Sequence, residues 1–127
     1  MPLSDALYCK VFVAKADVTS VRNIVSATFD VSFDEDIIKI SDSRVEVIRN
    51  EDSDGDGTFN EDFLYWPALV EFELEDHSLL PSLVSQVSLL LSTLWEASLP
   101  AVAACDFEER LPWSGGIMRD FSDMRET

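Results

Sequence analysis

The stretch "NEDSDGDGTFNEDFLYWPALVEFELE", residues 50–75, decides between two folds. Its first half sets Asp52, Asp54 and Asp56 at alternate positions, follows them with Gly57 and places Asn60 where a ninth loop ligand would fall, the opening of an EF-hand calcium loop. The twelfth position carries Phe63 instead of the glutamate that would donate two oxygens to the ion. An EF-hand loop also joins two helices, so the flanks decide the matter. Residues 63–75 read as a long strand, with Val70, Phe72 and Leu74 on the buried face, Glu71, Glu73 and Glu75 opposite, and Pro67 marking a bulge or edge position. Upstream, "RVEVIRN", residues 44–50, alternates in the same way. The acidic segment therefore joins two strands, and its Asp, Ser, Asn and Gly content suits a solvated hairpin loop. Calcium binding through Asp52, Asp54, Asp56 and Asn60 is expected to be weak, and a calcium-responsive module is kept as the alternative reading.

Working outward, "LYCKVFVA", residues 7–14, is a strand with Leu7, Cys9, Val11 and Val13 on one face. Asp17 caps a helix in which Val18, Val21, Ile24, Val25 and Phe29 recur at helical spacing. A short strand follows at 37–41, with Asp42 and Ser43 as a tight turn. Beyond the hairpin, Ser78 is the expected cap of a helix over 79–97, with Pro81 in its first turn. Leu80, Leu83, Val84, Val87, Leu90, Leu91, Leu94 and Trp95 give that helix a wide apolar stripe. "PAVAACDF", residues 100–107, closes the pattern as a buried strand.

This order predicts an α+β domain over residues 1–107: a mostly antiparallel sheet with two helices packed on one face, in a split β-α-β (ferredoxin-like) topology. First and last strands are then neighbours, which brings Cys9 and Cys105 together. Residues 108–127 are expected to form a partly ordered tail in which "WSGG", residues 113–116, is a flexible turn.

The 127 residues and 46% apolar content suffice for one domain with a real core. The charge is the unusual quantity: 9 basic against 25 acidic residues, a net −16. Most carboxylates lie between Asp30 and Asp76, where Lys39, Arg44 and Arg49 are the basic residues. Such a surface repels nucleic acid and anionic membranes and attracts basic partners. The uncharged run at 78–95 is interrupted by Ser82, Ser85, Gln86, Ser92 and Thr93 and flanked by acidic groups, so it reads as a core helix rather than a membrane span. The N-terminus "MPLSDALYCK" has no secretory pattern, and both cysteines lie in apolar runs as reduced thiols; a cytoplasmic location is expected.

Catalytic chemistry finds little material. His77 is the one histidine and reads as a boundary residue at a helix start; no His spacing for a metal and no phosphate-cradling glycine loop occur. No catalytic residue and no cofactor are assigned. Surface character remains: Asp52, Asp54, Asp56, Glu61 and Asp62 form an acidic patch beside Tyr65 and Trp66, which would serve as rigid aromatic anchors for a protein partner. A merely solvated acidic face with core aromatics is the bland alternative.

Taken together, "NEDSDGDGTFNEDFLYWPALVEFELED" and "LPAVAACDFEERLPWSGGI" resemble small cytoplasmic bacterial proteins regarded as immunity proteins of polymorphic toxins. The resemblance implies a non-enzymatic protein that binds and neutralises a cognate toxin, and it transfers no catalytic residue. Charge adds the expectation that the toxin domain is basic. Oligomeric state is left open.

Overall fold

In the computed structural model, which describes residues 6–33, 37–53 and 62–121, five strands form one antiparallel sheet. They are β1 (Leu7–Val13), β2 (Ile37–Ile40), β3 (Ser43–Arg49), β4 (Ala68–Leu74) and β5 (Ala101–Cys105), in the spatial order β2-β3-β4-β1-β5. Helices α1 (Val18–Phe29) and α2 (Leu80–Glu96) complete the α+β architecture. As expected, the first and last strands pair, with Cys9 directly opposite Cys105. β1 thus lies between β4 and β5, which run parallel to each other on its two sides and are joined by α2.

The period-2 pattern of the strands sorts their side chains onto two faces. On one, Cys9, Val11, Val13, Val45, Val47, Val70, Phe72, Leu74, Ala101 and Ala103 meet both helices in a single core. Val21 and Val25 enter it from α1, and Leu83, Val87, Leu90, Leu91 and Leu94 from α2, all fully buried. Together with the preceding turn at His77–Leu79, α2 is long and apolar enough to cross a membrane, but its leucine stripe is spent on the sheet.

Local chemistry sets the element ends. Asp17 accepts the Ser20 amide at 2.8 Å and caps α1 as expected, a bond that holds its carboxyl below the ordinary value. At α2 the expectation fails: Ser78 is not the cap. Asp76 instead accepts the Ser78 amide at 3.0 Å and starts the short turn His77–Leu79, from which α2 grows with Pro81 in its first turn. The turn after β2 falls on Ser41 and Asp42, with Ser41 left-handed at φ 58°, and Ser43 is already a buried strand residue.

The packed domain continues past residue 107. Phe107 and Leu111 belong to the main core, and the chain then makes a run of left-handed residues, Trp113 (φ 56°), Ser114 (φ 51°), Gly115 (φ 81°) and Gly116 (φ 100°). "WSGG" is therefore a seated structure rather than a flexible turn. A Cβ on Gly115 would lie 2.7 Å from the Ala103 carbonyl oxygen, and one on Gly116 2.5 Å from that of Ala101. The two glycines thus cover the outer edge of β5, where an exposed strand would otherwise offer its backbone to other chains. Trp95 donates its indole N–H to the same Ala101 oxygen at 3.0 Å and closes the edge from the α2 side.

Gly116→Ala should therefore lower stability by about 1–3 kcal/mol, from left-handed strain and displacement of the tail. Denaturant melts of the two proteins check this, and an unchanged midpoint would mean that the tail is not seated on β5.

Candidate functional site

The face of the sheet away from the helices is divided. Toward the ends of β1 and β4 near Tyr8 and Glu73 it is charged: Tyr8 donates its hydroxyl to Glu73 Oε2 at 3.2 Å and Arg44 reaches Glu73 Oε1 at 3.5 Å. The Glu73 carboxylate pushes the Tyr8 phenol above its ordinary value. In the next row Glu46 stands directly opposite Glu71, and Lys10 flanks Glu71 from β1. Being more than half exposed, Arg44 adds little stability through its ion pair.

At the opposite end this face is apolar. Phe12, Ala14, Trp66, Leu69 and Val102 form a second core, against which Ile48, Phe63, Ala104 and Phe121 pack. Its aromatic rings meet edge-on: Phe12 and Phe63 with centroids 5.2 Å apart, Phe63 and Trp66 6.4 Å, Trp66 and Phe121 6.0 Å. Arg119 lies over the Trp95 and Phe121 rings at 5.3 and 5.2 Å. Segments far apart in sequence, the base of the acidic hairpin and the C-terminal tail, thus converge on one end of the sheet.

The hairpin loop springs from this cluster. Its base is clasped by Asn50, which is 5% exposed and uses nearly all of its hydrogen-bonding capacity. Asn50 Nδ2 donates to the Leu64 oxygen at 2.8 Å and the Trp66 oxygen at 2.7 Å, while Oδ1 accepts the Asp52 amide at 3.1 Å. Its own amide donates to the Pro67 oxygen at 2.9 Å. Reading the sequence as a period-2 pattern missed this residue, because a polar group at a strand end carries no periodic signal. The available cue was an Asn immediately before a turn-forming run.

The expected partner-binding residues separate in the structure. Asp52 and Asp62 are exposed, and Tyr65 is 44% exposed beside Leu64 at 49%. Trp66 is 3% exposed and is a core residue, not a surface anchor. The long strand expected over 63–75 is the cause of that error. Asp62 accepts the Leu64 amide at 3.1 Å and opens a single helical turn at Phe63–Tyr65, which turns Leu64 and Tyr65 outward and Trp66 inward before β4 begins at Ala68. Asp54, Asp56, Asn60 and Glu61 lie outside the described residues. The loop's flanks are β3 and this one turn, not the two helices of an EF-hand. Among the described residues no group of three or more His, Cys, Asp and Glu side chains is placed to hold a metal ion.

Two further features concern the surface. The tail displays Trp113 (59% exposed), Ile117 and Met118, apolar side chains that the sequence reading left in a flexible segment. Charge is also segregated by layer: Glu96 is the one carboxylate in α1 and α2, and among the described residues Glu46, Glu71 and Glu73 stand on the open sheet face.

Asn50→Ala should cost about 1–3 kcal/mol, since it strips the Leu64 and Trp66 carbonyls of their donor. Asn50→Asp should cost more at neutral pH, because a carboxylate would face the same two oxygens. Equilibrium unfolding of both variants decides it; wild-type stability in either would show that the clasp does not hold the loop.

Compared with protein-family models, curated proteins and solved structures, the chain matches none.

Proposed function

We propose that this is a non-enzymatic acidic immunity protein that binds and neutralises a cognate, basic bacterial toxin domain. The observation that carries the reading is electrostatic: a net charge of −16 held almost entirely off the two helices. A surface field of one sign steers a basic partner and disfavours acidic ones. The resemblance of residues 50–76 and 99–117 to immunity proteins supports the same function.

On this reading the contact surface is the hairpin end of the sheet. Asp52 and Asp62 supply charge there, and Leu64 and Tyr65 offer exposed apolar surface on a turn whose base is fixed by Asn50 and Trp66. A rigid aromatic beside carboxylates is the composition of a binding hot spot with a polar rim. A cationic toxin channel would meet in this protein a substitute for its anionic substrate. Basic nucleases are the class of toxin that this charge fits best.

The test is co-expression with toxin domains encoded beside the gene, followed by binding kinetics. Rescue of growth and a stable complex are expected, and failure of both with every neighbouring toxin would sink the proposal. Asp52→Asn with Asp62→Asn should slow association and flatten its salt dependence, because Asn at 62 still accepts the Leu64 amide. Tyr65→Ala should instead speed dissociation and weaken binding by about 2 kcal/mol. If neither class of variant changes its rate, the contact surface lies elsewhere on the protein.

A further inference from the structure

Cys9 and Cys105 are direct partners across the β1–β5 ladder. The register decides their geometry. Ala14 donates its amide to the Pro100 oxygen at 2.9 Å, so alternation along the ladder makes Phe12/Val102 and Lys10/Ala104 the hydrogen-bonded pairs and Cys9/Cys105 a non-hydrogen-bonded one. In agreement, the Cys105 amide points off the sheet edge and donates to Glu108 Oε2 at 3.0 Å. Non-hydrogen-bonded partners stand about 4.5 Å apart at Cα, with side chains on the same face, inside the roughly 4.4–6.8 Å window that a disulfide spans. Both cysteines are free thiols.

The two are unequal. Cys9 is fully buried in the centre of the sheet, whereas Cys105 ends the edge strand and is half-buried. Pairing with Cys9 holds the Cys105 thiol below its ordinary value against burial and the Glu108 and Asp106 carboxylates, while the same pairing and burial push Cys9 up. Access and thiolate character thus coincide on Cys105, as the attacking member of a pair requires.

We propose that Cys9 and Cys105 are a redox modification site, at which Cys105 attacks a low-molecular-weight disulfide and Cys9 resolves the mixed disulfide to leave a β1–β5 cross-link. In the first step the Cys105 sulfur bonds to one sulfur of the reagent and the other leaves as a thiolate. Cys9 then attacks the Cys105 sulfur as its proton passes to the departing second thiolate, which leaves as a thiol. Two protein thiols are oxidised and one reagent disulfide is reduced to two thiols. Asp106 and Glu108 act on Cys105 with their negative charge, and Glu108 sits on its amide, so the site selects a cationic disulfide over an anionic one.

The experiment treats the folded protein with cystamine or with glutathione disulfide, followed by acid quench, intact mass and peptide mapping. Expected are an intramolecular Cys9–Cys105 disulfide, reversed by dithiothreitol, and formation several-fold faster with cystamine at low salt, a difference that shrinks as salt rises. Cys9→Ala should trap a single cysteamine adduct on Cys105, and Cys105→Ser should take up none while folded. Since the Cys9 variant alters the core, a wild-type time course provides the second measure: the Cys105 adduct must precede the cross-link. Two thiols that persist in the folded chain while the denatured chain reacts would overturn the proposal. So would cross-links between chains or modification of Cys9 first. Equal rates with the two reagents would overturn the charge selection.

Discussion

Everything in this fold depends on β1 pairing on both sides with strands made much later. Its partners are β4, whose register matches Leu7 with Leu74, and β5, whose register matches Cys9 with Cys105. Until the chain reaches residue 105 the first strand has only one neighbour, and the core formed by Val11, Val13, Phe72 and Ala103 lacks a wall. Such long-range pairing requires closing loops before contacts reward it, so the short-range devices matter: the Asp17 cap, the Ser41–Asp42 turn and the Asp76 turn each shorten the search locally.

A sheet with helices on one face leaves the other exposed, and this protein resolves that problem unequally along the strands. Where the open face is charged, Tyr8 and Arg44 each bond the Glu73 carboxylate and stand exposed. Where it is apolar, the hairpin base and the tail fold over it, with Trp66 shared between Phe63 and Phe121. The same tail lays Gly115 and Gly116 along the β5 edge before it reaches Phe121. One segment therefore protects both an edge and a face. This explains why a bulky Trp113 and a Ser114 are held in left-handed backbone: the glycines can reach the Ala101 and Ala103 carbonyls only if the chain turns sharply just before them.

The strands and helices were legible because burial on one face leaves a period: 2 in β1 and β4, helical in the Leu83, Val87, Leu90, Leu94 series. The neighbouring cysteines followed from topology. What period cannot give is the side to which a residue points once the chain leaves a regular element. Trp66 and Tyr65 are adjacent, aromatic and alike on paper; a carboxylate at Asp62, by bonding the Leu64 amide, turns one in and the other out. Asn50 was invisible for a related reason, since its importance lies in carbonyls of residues fourteen and sixteen positions away. The tail was misread because two glycines suggest freedom, whereas here they permit close approach.

Charge and fold meet at the hairpin. A chain at −16 repels itself, and the carboxylates crowded outside the helices add strain that α1 and α2, with one charged residue each, do not share. The loop can tolerate that crowding because uncharged groups clasp its base. It is held by the neutral Asn50 amide and by aromatic packing, neither of which weakens as salt screens or as neighbouring charges accumulate. Stability and electrostatic display are thereby carried by different atoms at the same place. A cationic partner bound there would relieve repulsion without any rearrangement of the groups that hold the loop, since Asn50, Phe63 and Trp66 keep its position on the sheet.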